Sequence, residues 1–155
     1  MTAAEVLQAA RAAGIRLAAA ESCTGGMIMA ALTDIPGSSE VVDRGFVTYS
    51  NAAKTEMLGV RVETLDRFGA VSEQVAAEMA TGALAGANAG IAIAVTGIAG
   101  PGGSELKPEG RVCFGLATPL GTSTETMEFG AIGRAGVRSA SVEHALRMVA
   151  RALQP

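Results

Sequence analysis

Three consecutive side chains able to act as nucleophiles, Ser22, Cys23 and Thr24, stand in "ESCTGG" directly before a glycine pair, Gly25 and Gly26. An apolar run precedes them and a helical pattern follows. The start of a helix leaves backbone N–H groups unpaired at a positive dipole end, which can hold an oxyanion or a phosphate, and glycines let a ligand approach the backbone. The competing reading is structural: Ser22 or Thr24 caps the helix. A cysteine at a helix N-terminus can have a lowered pKa and become reactive, whereas a serine needs a base beside it. The local sequence leaves both open.

The supply of bases is short. The one histidine, His144, lies off the apolar stripe of the last helical segment and reads as a surface residue, so a Ser-His-Asp triad is not expected. Lys54 and Lys107 are the only lysines. A lysine serves as a base once burial or a neighbouring positive charge lowers its pKa; the competing reading of Lys54 is an exposed helix lysine. Lys54 follows Tyr49 and Ser50 at the start of a helix. A third glycine-containing segment, "VTGIAGPGG", adds Thr96 and the backbone donors around Gly97 and Gly100, in the manner of an anion-binding nest. It lacks the G-K-[ST] ending of a Walker loop. With one histidine and no clustered carboxylates, no metal site is expected.

These residues need a scaffold that brings them together. Thr2 and Glu5 have capping-box spacing and Gly14 closes the segment, which predicts a first helix ending at Ala13. "IRLAAA" (15–20) reads as a buried strand and "GGMIMAALTDI" as a helix stopped by "PGSS". "VVDRGFVTYS" (41–50) reads as a strand, followed by a helix "AAKTEMLG" capped by Ser50 or Asn51 and closed by Gly59. After a short element in "VETLDRFG", Ser72 caps a helix from Glu73 to about Ala87, and "GIAIAVTG" (90–97) is a buried strand. The loop 96–110 is long and rich in glycine and proline, as functional or disordered loops are. "RVCFGLAT" and "TSTETMEF" read as a hairpin, and "GRAGVRSASVEHALRMVARAL" as an amphipathic helix with Val142, Leu146, Val149 and Leu153 on one face. If the strands are parallel, the Ser22 and Lys54 junctions open on one crevice.

At 155 residues, 49% hydrophobic but 3% aromatic, with 20 glycines, the chain fits one domain (1–155) of α/β class, packed closely through small side chains. The net charge of −3 with no basic block gives no grip on nucleic acid. Two cysteines without C-x-x-C spacing point to a reducing cytoplasm. No apolar run approaches the roughly 18 residues of a membrane span, and no signal core opens the chain.

The segments "AAESCTGGMIMAALTDIPGSSEVVDRGFVTYSNAAKTEMLGV", "GAVSEQVAAEMATGAL" and "AIAVTGIAGPGGSELKPEGRVCFGLAT" closely resemble the CinA C-terminal domain family, the nicotinamide-nucleotide amidases, from about Arg16 to Arg138. The resemblance implies a three-layer α/β/α sandwich with a largely parallel or mixed sheet. It also implies hydrolysis of the carboxamide of nicotinamide mononucleotide to nicotinate mononucleotide and ammonia, in pyridine-nucleotide recycling, with no cofactor. It assigns Ser22 as nucleophile and Lys54 as base, with Tyr49 as relay or orienter. Cys23, Thr24, Gly25 and Gly26 then line the substrate site, with oxyanion donors in the backbone of Thr24 to Gly26. Thr96, Gly97 and Gly100 help build the pocket, and Arg44, Arg134 and Arg138 are partners for the 5′-phosphate, since a guanidinium forks onto phosphate oxygens. Gly133 stands where the family often has an acidic residue. The chain resembles the stand-alone form, without the pyrophosphatase activity of larger relatives, and the family tends to form homo-oligomers. Two alternatives remain: a non-catalytic nucleotide-binding module, or an amidase with Cys23 as nucleophile.

Overall fold

The structure, a computed structural model, describes residues 2–104 and 106–154; Glu105, within the glycine-rich loop, lies outside the described residues. In chain order the elements are α1 (Ala3–Ala13), β1 (Leu17–Glu21), α2 (Met27–Thr33), β2 (Val42–Val47), α3 (Asn51–Leu58), α4 (Val62–Phe68), α5 (Glu73–Ala85), β3 (Ile91–Gly97), β4 (Arg111–Thr118), β5 (Gly121–Glu128) and α6 (Arg134–Leu153). The strands form one sheet in the order β2-β1-β3-β4-β5. β1 runs parallel to β2 and β3, and the β4–β5 hairpin adds antiparallel strands beside β3. Helices cover both faces, giving the expected α/β/α sandwich with a mixed sheet.

Alternation along the central strands sorts side chains between two cores. Leu17, Ala19, Ile91, Ile93 and Val95 face Val6, Leu7 and Ala10 of α1, Ile28 and Leu32 of α2, and Val137 and Val149 of α6. The other face of the sheet is nearly all alanine: Ala18, Ala20, Ala92, Ala94 and Ala117 meet Val75, Met79, Ala80 and Ala83 of α5 and Leu58 of α3. Alanine is a poor strand former by propensity, so its use here follows from packing: short side chains bring α5 close to the sheet. At Gly115 a side chain would run into the carbonyl of Ala76 in α5. The helix boundaries follow local chemistry. Thr2 and Glu5 form the reciprocal capping box of α1, Ser50 caps α3, Ser72 caps α5, and Gly14 and Gly59 take left-handed conformations where α1 and α3 end.

The parallel set ends β1, β2 and β3 at one edge, so Ser22, Tyr49 and Thr96 are gathered there from three chain segments. Open α/β sheets bind ligands at such carboxyl edges.

One expectation is overturned. His144 is buried, not on the surface: the inward face of α6 is broader than the stripe from Val142 to Leu153, two of whose residues, Leu146 and Val149, are buried, and it extends to Val137, Ser141, His144, Ala145 and Met148. The imidazole is accommodated because its Nε2 lies 3.0 Å from Glu125 Oε1 of β5 and its ring tilts against Phe114 at 4.6 Å. Burial pushes its pKa below the usual 6.5, against the pull of Glu125, while Arg147 and Arg151 add to the lowering. Below pH 6.5 the unfolded chain therefore binds a proton that the folded chain resists, so this site's stability is complete above 6.5 and is lost as pH falls toward the lowered folded value. His144→Gln should flatten the stability-versus-pH curve in that window, read by urea unfolding at a series of pH values; an unchanged curve would refute the assignment.

Candidate active site

Ser22 follows β1 directly, and its N–H donates to the carbonyl of Val95 at 3.0 Å, tying its backbone to β3. The chain then turns sharply, with the Gly25 N–H on the Ser22 carbonyl at 3.0 Å and φ of +56° and +110° at Gly25 and Gly26. Such left-handed conformations are costly for residues with a Cβ, which is why a glycine pair stands here.

The mouth of α2 is not open to an anion. The fully buried carboxylate of Glu21 accepts from the N–H groups of Gly26 (3.2 Å), Ile28 (2.9 Å) and Met29 (3.0 Å). Neither Ser22 nor Thr24 caps the helix; the N-cap position is Gly26, and Glu21 does the capping from the preceding strand. The expectation that this dipole end receives substrate is therefore corrected, and Gly25 and Gly26 are removed as oxyanion donors because both N–H groups are already engaged. Sequence reasoning missed Glu21, although it is the residue before Ser22, because the strand-to-helix reach does not follow capping-box spacing. The hydroxyls of Thr24 and Thr48 beside this turn are buried without a partner among the described residues, the kind of unsatisfied group that tends to mark a functional centre.

Lys54 is the largest fully buried side chain of the protein, at 1% exposure. Its Nζ lies 3.0 Å from Ser22 Oγ and donates to the carbonyls of Thr48 (3.0 Å) and Tyr49 (3.3 Å). Among the described residues no carboxylate pairs with it. Three polar neighbours match either protonation state: an ammonium donates to all three, whereas a neutral amine donates to the two carbonyls and offers its lone pair to the Ser22 hydroxyl. Burial favours the neutral amine, pushing the Lys54 pKa below the usual 10.5 by penalising the charged form.

The other expected residues divide. Tyr49 contributes its carbonyl to Lys54, while its phenol is exposed and accepts from Arg134 Nη2 at 2.9 Å; it has no hydrogen bond to Ser22 or Lys54. Arg134 also donates to the Gly100 carbonyl at 2.7 Å, linking the start of α6 to the glycine-rich loop. Arg138 Nε donates to the Cys23 carbonyl at 3.0 Å, with Nη2 at 3.4 Å from that of Thr24. Thr96 is buried and donates to the Ala70 carbonyl at 2.9 Å, holding the α4–α5 connection over the end of β3. Arg44 is not in the site: it binds Asp43 and the carbonyl of Gly86, which follows α5 at the opposite, amino-terminal edge of the strands. Cys23 packs into the core, and burial pushes its thiol pKa up to about 11, which disfavours the thiolate at neutral pH.

Beside this constellation lies a cleft of about 350 Å³, walled by Gly97, Gly100, Asn51, Ala70, Lys107 and Arg134. Asn51 begins the helix that carries Lys54, so one helix contributes to both the cleft and the Ser22–Lys54 pair. Lys107 donates to the carbonyls of Phe68 and Val71, both at 2.6 Å, pinning the loop to the α4–α5 connection. Among the described residues no group of His, Cys, Asp and Glu could hold a metal ion, and no helix is long and apolar enough to cross a membrane.

A mixed-sheet α/β/α sandwich with a buried serine–lysine pair at the carboxyl edge of its parallel strands defines the class. The model of the CinA C-terminal domain matches residues 1–153, and the chain belongs to that family. It is 51% identical over 144 residues to a protein of Escherichia coli (strain K12) named nicotinamide-nucleotide amidohydrolase PncC, covering 92% of this chain and 87% of that one. A protein of the same name from Enterobacter agglomerans is 60% identical over 114 residues, covering 73% of this chain and 70% of its own length. A CinA-like protein of Chlorobium phaeobacteroides (strain BS1) is 53% identical over 146 residues, and there the match takes 91% of this chain but 35% of the longer relative. Among solved structures, the competence/damage inducible protein CihA of Agrobacterium tumefaciens superposes with a TM-score of 0.95 at 51% identity, over 98% of this chain and 93% of that one.

Replacing the lysine separates stability from chemistry. Between its lowered folded pKa and 10.5 the unfolded chain binds the extra proton, so Lys54 detracts from stability below that window and the deficit is relieved as pH rises through it. Lys54→Met should unfold at an equal or higher urea midpoint at pH 7, with the pH slope removed. A clearly lower midpoint would mean that the buried amine is net stabilising.

Proposed function

We propose that the protein is a nicotinamide-nucleotide amidohydrolase that uses Ser22 as nucleophile and neutral Lys54 as its base, in the recycling of pyridine nucleotides. The observation that carries this reading is the 3.0 Å approach of a buried, carboxylate-free lysine amine to Ser22 Oγ; the substrate is suggested by the names of the relatives. Ser22 Oγ attacks the carboxamide carbon while its proton passes to Lys54 Nζ. The tetrahedral adduct collapses, the C–N bond breaks, and the Lys54 ammonium returns that proton to the departing nitrogen as ammonia. Water then attacks the acyl ester, its proton again taken by Lys54 and delivered to Ser22 Oγ, and the carboxylic acid leaves ionised. Atoms balance as amide plus water giving carboxylate plus ammonium.

The nucleotide occupies the cleft between the loop 97–104 and the α4–α5 connection. Arg134 at its wall, and the N–H groups of Ala99 and Gly100, which have no acceptor among the described residues, suit an anionic phosphate. Tyr49 serves this reading by holding Arg134 through its phenol and Lys54 through its carbonyl.

The test is ammonia release from nicotinamide mononucleotide, beside nicotinamide and the riboside. Turnover of the mononucleotide is expected, with Cys23→Ala active and Ser22→Ala and Lys54→Met reduced by roughly 10²–10⁴-fold or more. Activity that survives Ser22→Ala but not Cys23→Ala would overturn the assignment. Tight mononucleotide binding without turnover would mark a binding module instead.

A further inference from the structure

We infer that Arg138 is a positioning residue for the Ser22 nucleophile rather than a ligand of the substrate phosphate. The inference rests on the amidohydrolase reading and adds a role within it. The turn from Ser22 to Gly26 is gripped from two directions. On the helix side Glu21 holds the N–H groups of Gly26, Ile28 and Met29. On the α6 side Arg138 spans the two carbonyls that follow the nucleophile, with Nε on Cys23 at 3.0 Å and Nη2 toward Thr24 at 3.4 Å. The guanidinium lies so close to the turn that a Cβ at Gly25 would touch Nη2 at 3.4 Å.

A planar guanidinium on neighbouring carbonyls fixes both peptide planes, a task that a lysine, as a single point charge, cannot reproduce. Ser22 is the residue before these peptides, so the orientation of its Oγ toward Lys54 depends on them. Small errors in such placement cost rate, about 10²-fold for 1 Å. Arg138 is also absent from the walls of the cleft where Arg134 stands, and its bonded nitrogens face the turn that follows Ser22, whereas those of Arg134 face the glycine-rich loop and the Tyr49 phenol. The two arginines of the late helix therefore divide the work: Arg134 at the ligand and Arg138 at the nucleophile's backbone.

Two readouts on the full chain test this. The first is the rate at which an alkyl fluorophosphonate labels Ser22, in which Oγ bonds to phosphorus, fluoride leaves and the serine proton goes to Lys54. This rate does not depend on which amide is the substrate. The second is kcat and KM for nicotinamide mononucleotide and for the riboside, which lacks the phosphate. Arg138→Lys is expected to slow labelling roughly 10–100-fold, to lower kcat on both substrates by a similar factor, and to leave KM for the mononucleotide within about threefold. Unchanged labelling with a raised KM confined to the mononucleotide would overturn the inference and make Arg138 a phosphate ligand. Arg138→Gln, keeping a neutral amide NH2 donor group, serves if the lysine variant does not fold, with the same outcomes deciding. Failure of the wild-type chain to release ammonia, with Ser22 still labelled, would strike the substrate reading and leave the positioning role to the labelling rates.

Discussion

The burial of one lysine amine against a serine hydroxyl is the constraint on which the rest of the structure depends. An ammonium in the interior without a carboxylate is expensive, and the usual escape is loss of its proton. Lys54 meets two backbone carbonyls and Ser22 Oγ, which is the set a neutral amine can satisfy. The serine–lysine contact is made without histidine, and the one histidine of the chain is used in packing against Phe114 and Glu125.

Holding that pair requires rigid supports on every side. Ser22 is fixed to β3 through its N–H, the turn after it by Glu21 and Arg138, and Lys54 by the helix that Ser50 caps. The alanine-lined face of the sheet lets α5 lie close to it, and α3 packs beside α5 in the same layer. The positive end of α2 is capped by the Glu21 carboxylate. The groups left to meet an anion stand at the cleft, around Arg134 and the glycine-rich loop.

Much of this was legible in the sequence where local chemistry governs. The capping box at Thr2 and Glu5, the caps at Ser50 and Ser72 and the closing glycines at 14 and 59 stand where their spacing predicts. The meeting of Ser22 with Lys54 follows from the parallel strands. What escaped was set by tertiary contact. Whether Lys54 is exposed or buried cannot be read from its helix position. The wide buried face of α6 that takes in His144 depends on Phe114 and Glu125, in the β4–β5 hairpin. Residue type groups Arg44 with Arg138, and only the fold shows one at the far edge and the other on the turn after Ser22. The Tyr49 phenol was expected near Lys54, but its residue reaches the lysine through the carbonyl.

The most direct test of the central claim is the protonation of Lys54 itself. With only two lysines in the chain, ¹³Cε-labelled lysine gives two side-chain signals, and Lys54→Met identifies which one belongs to the buried amine. The account predicts that this signal titrates below 10.5, at the same pH as the acidic limb of kcat/KM. A Lys54 signal that stays protonated up to 10.5 or beyond would contradict it, because the serine would then have no base.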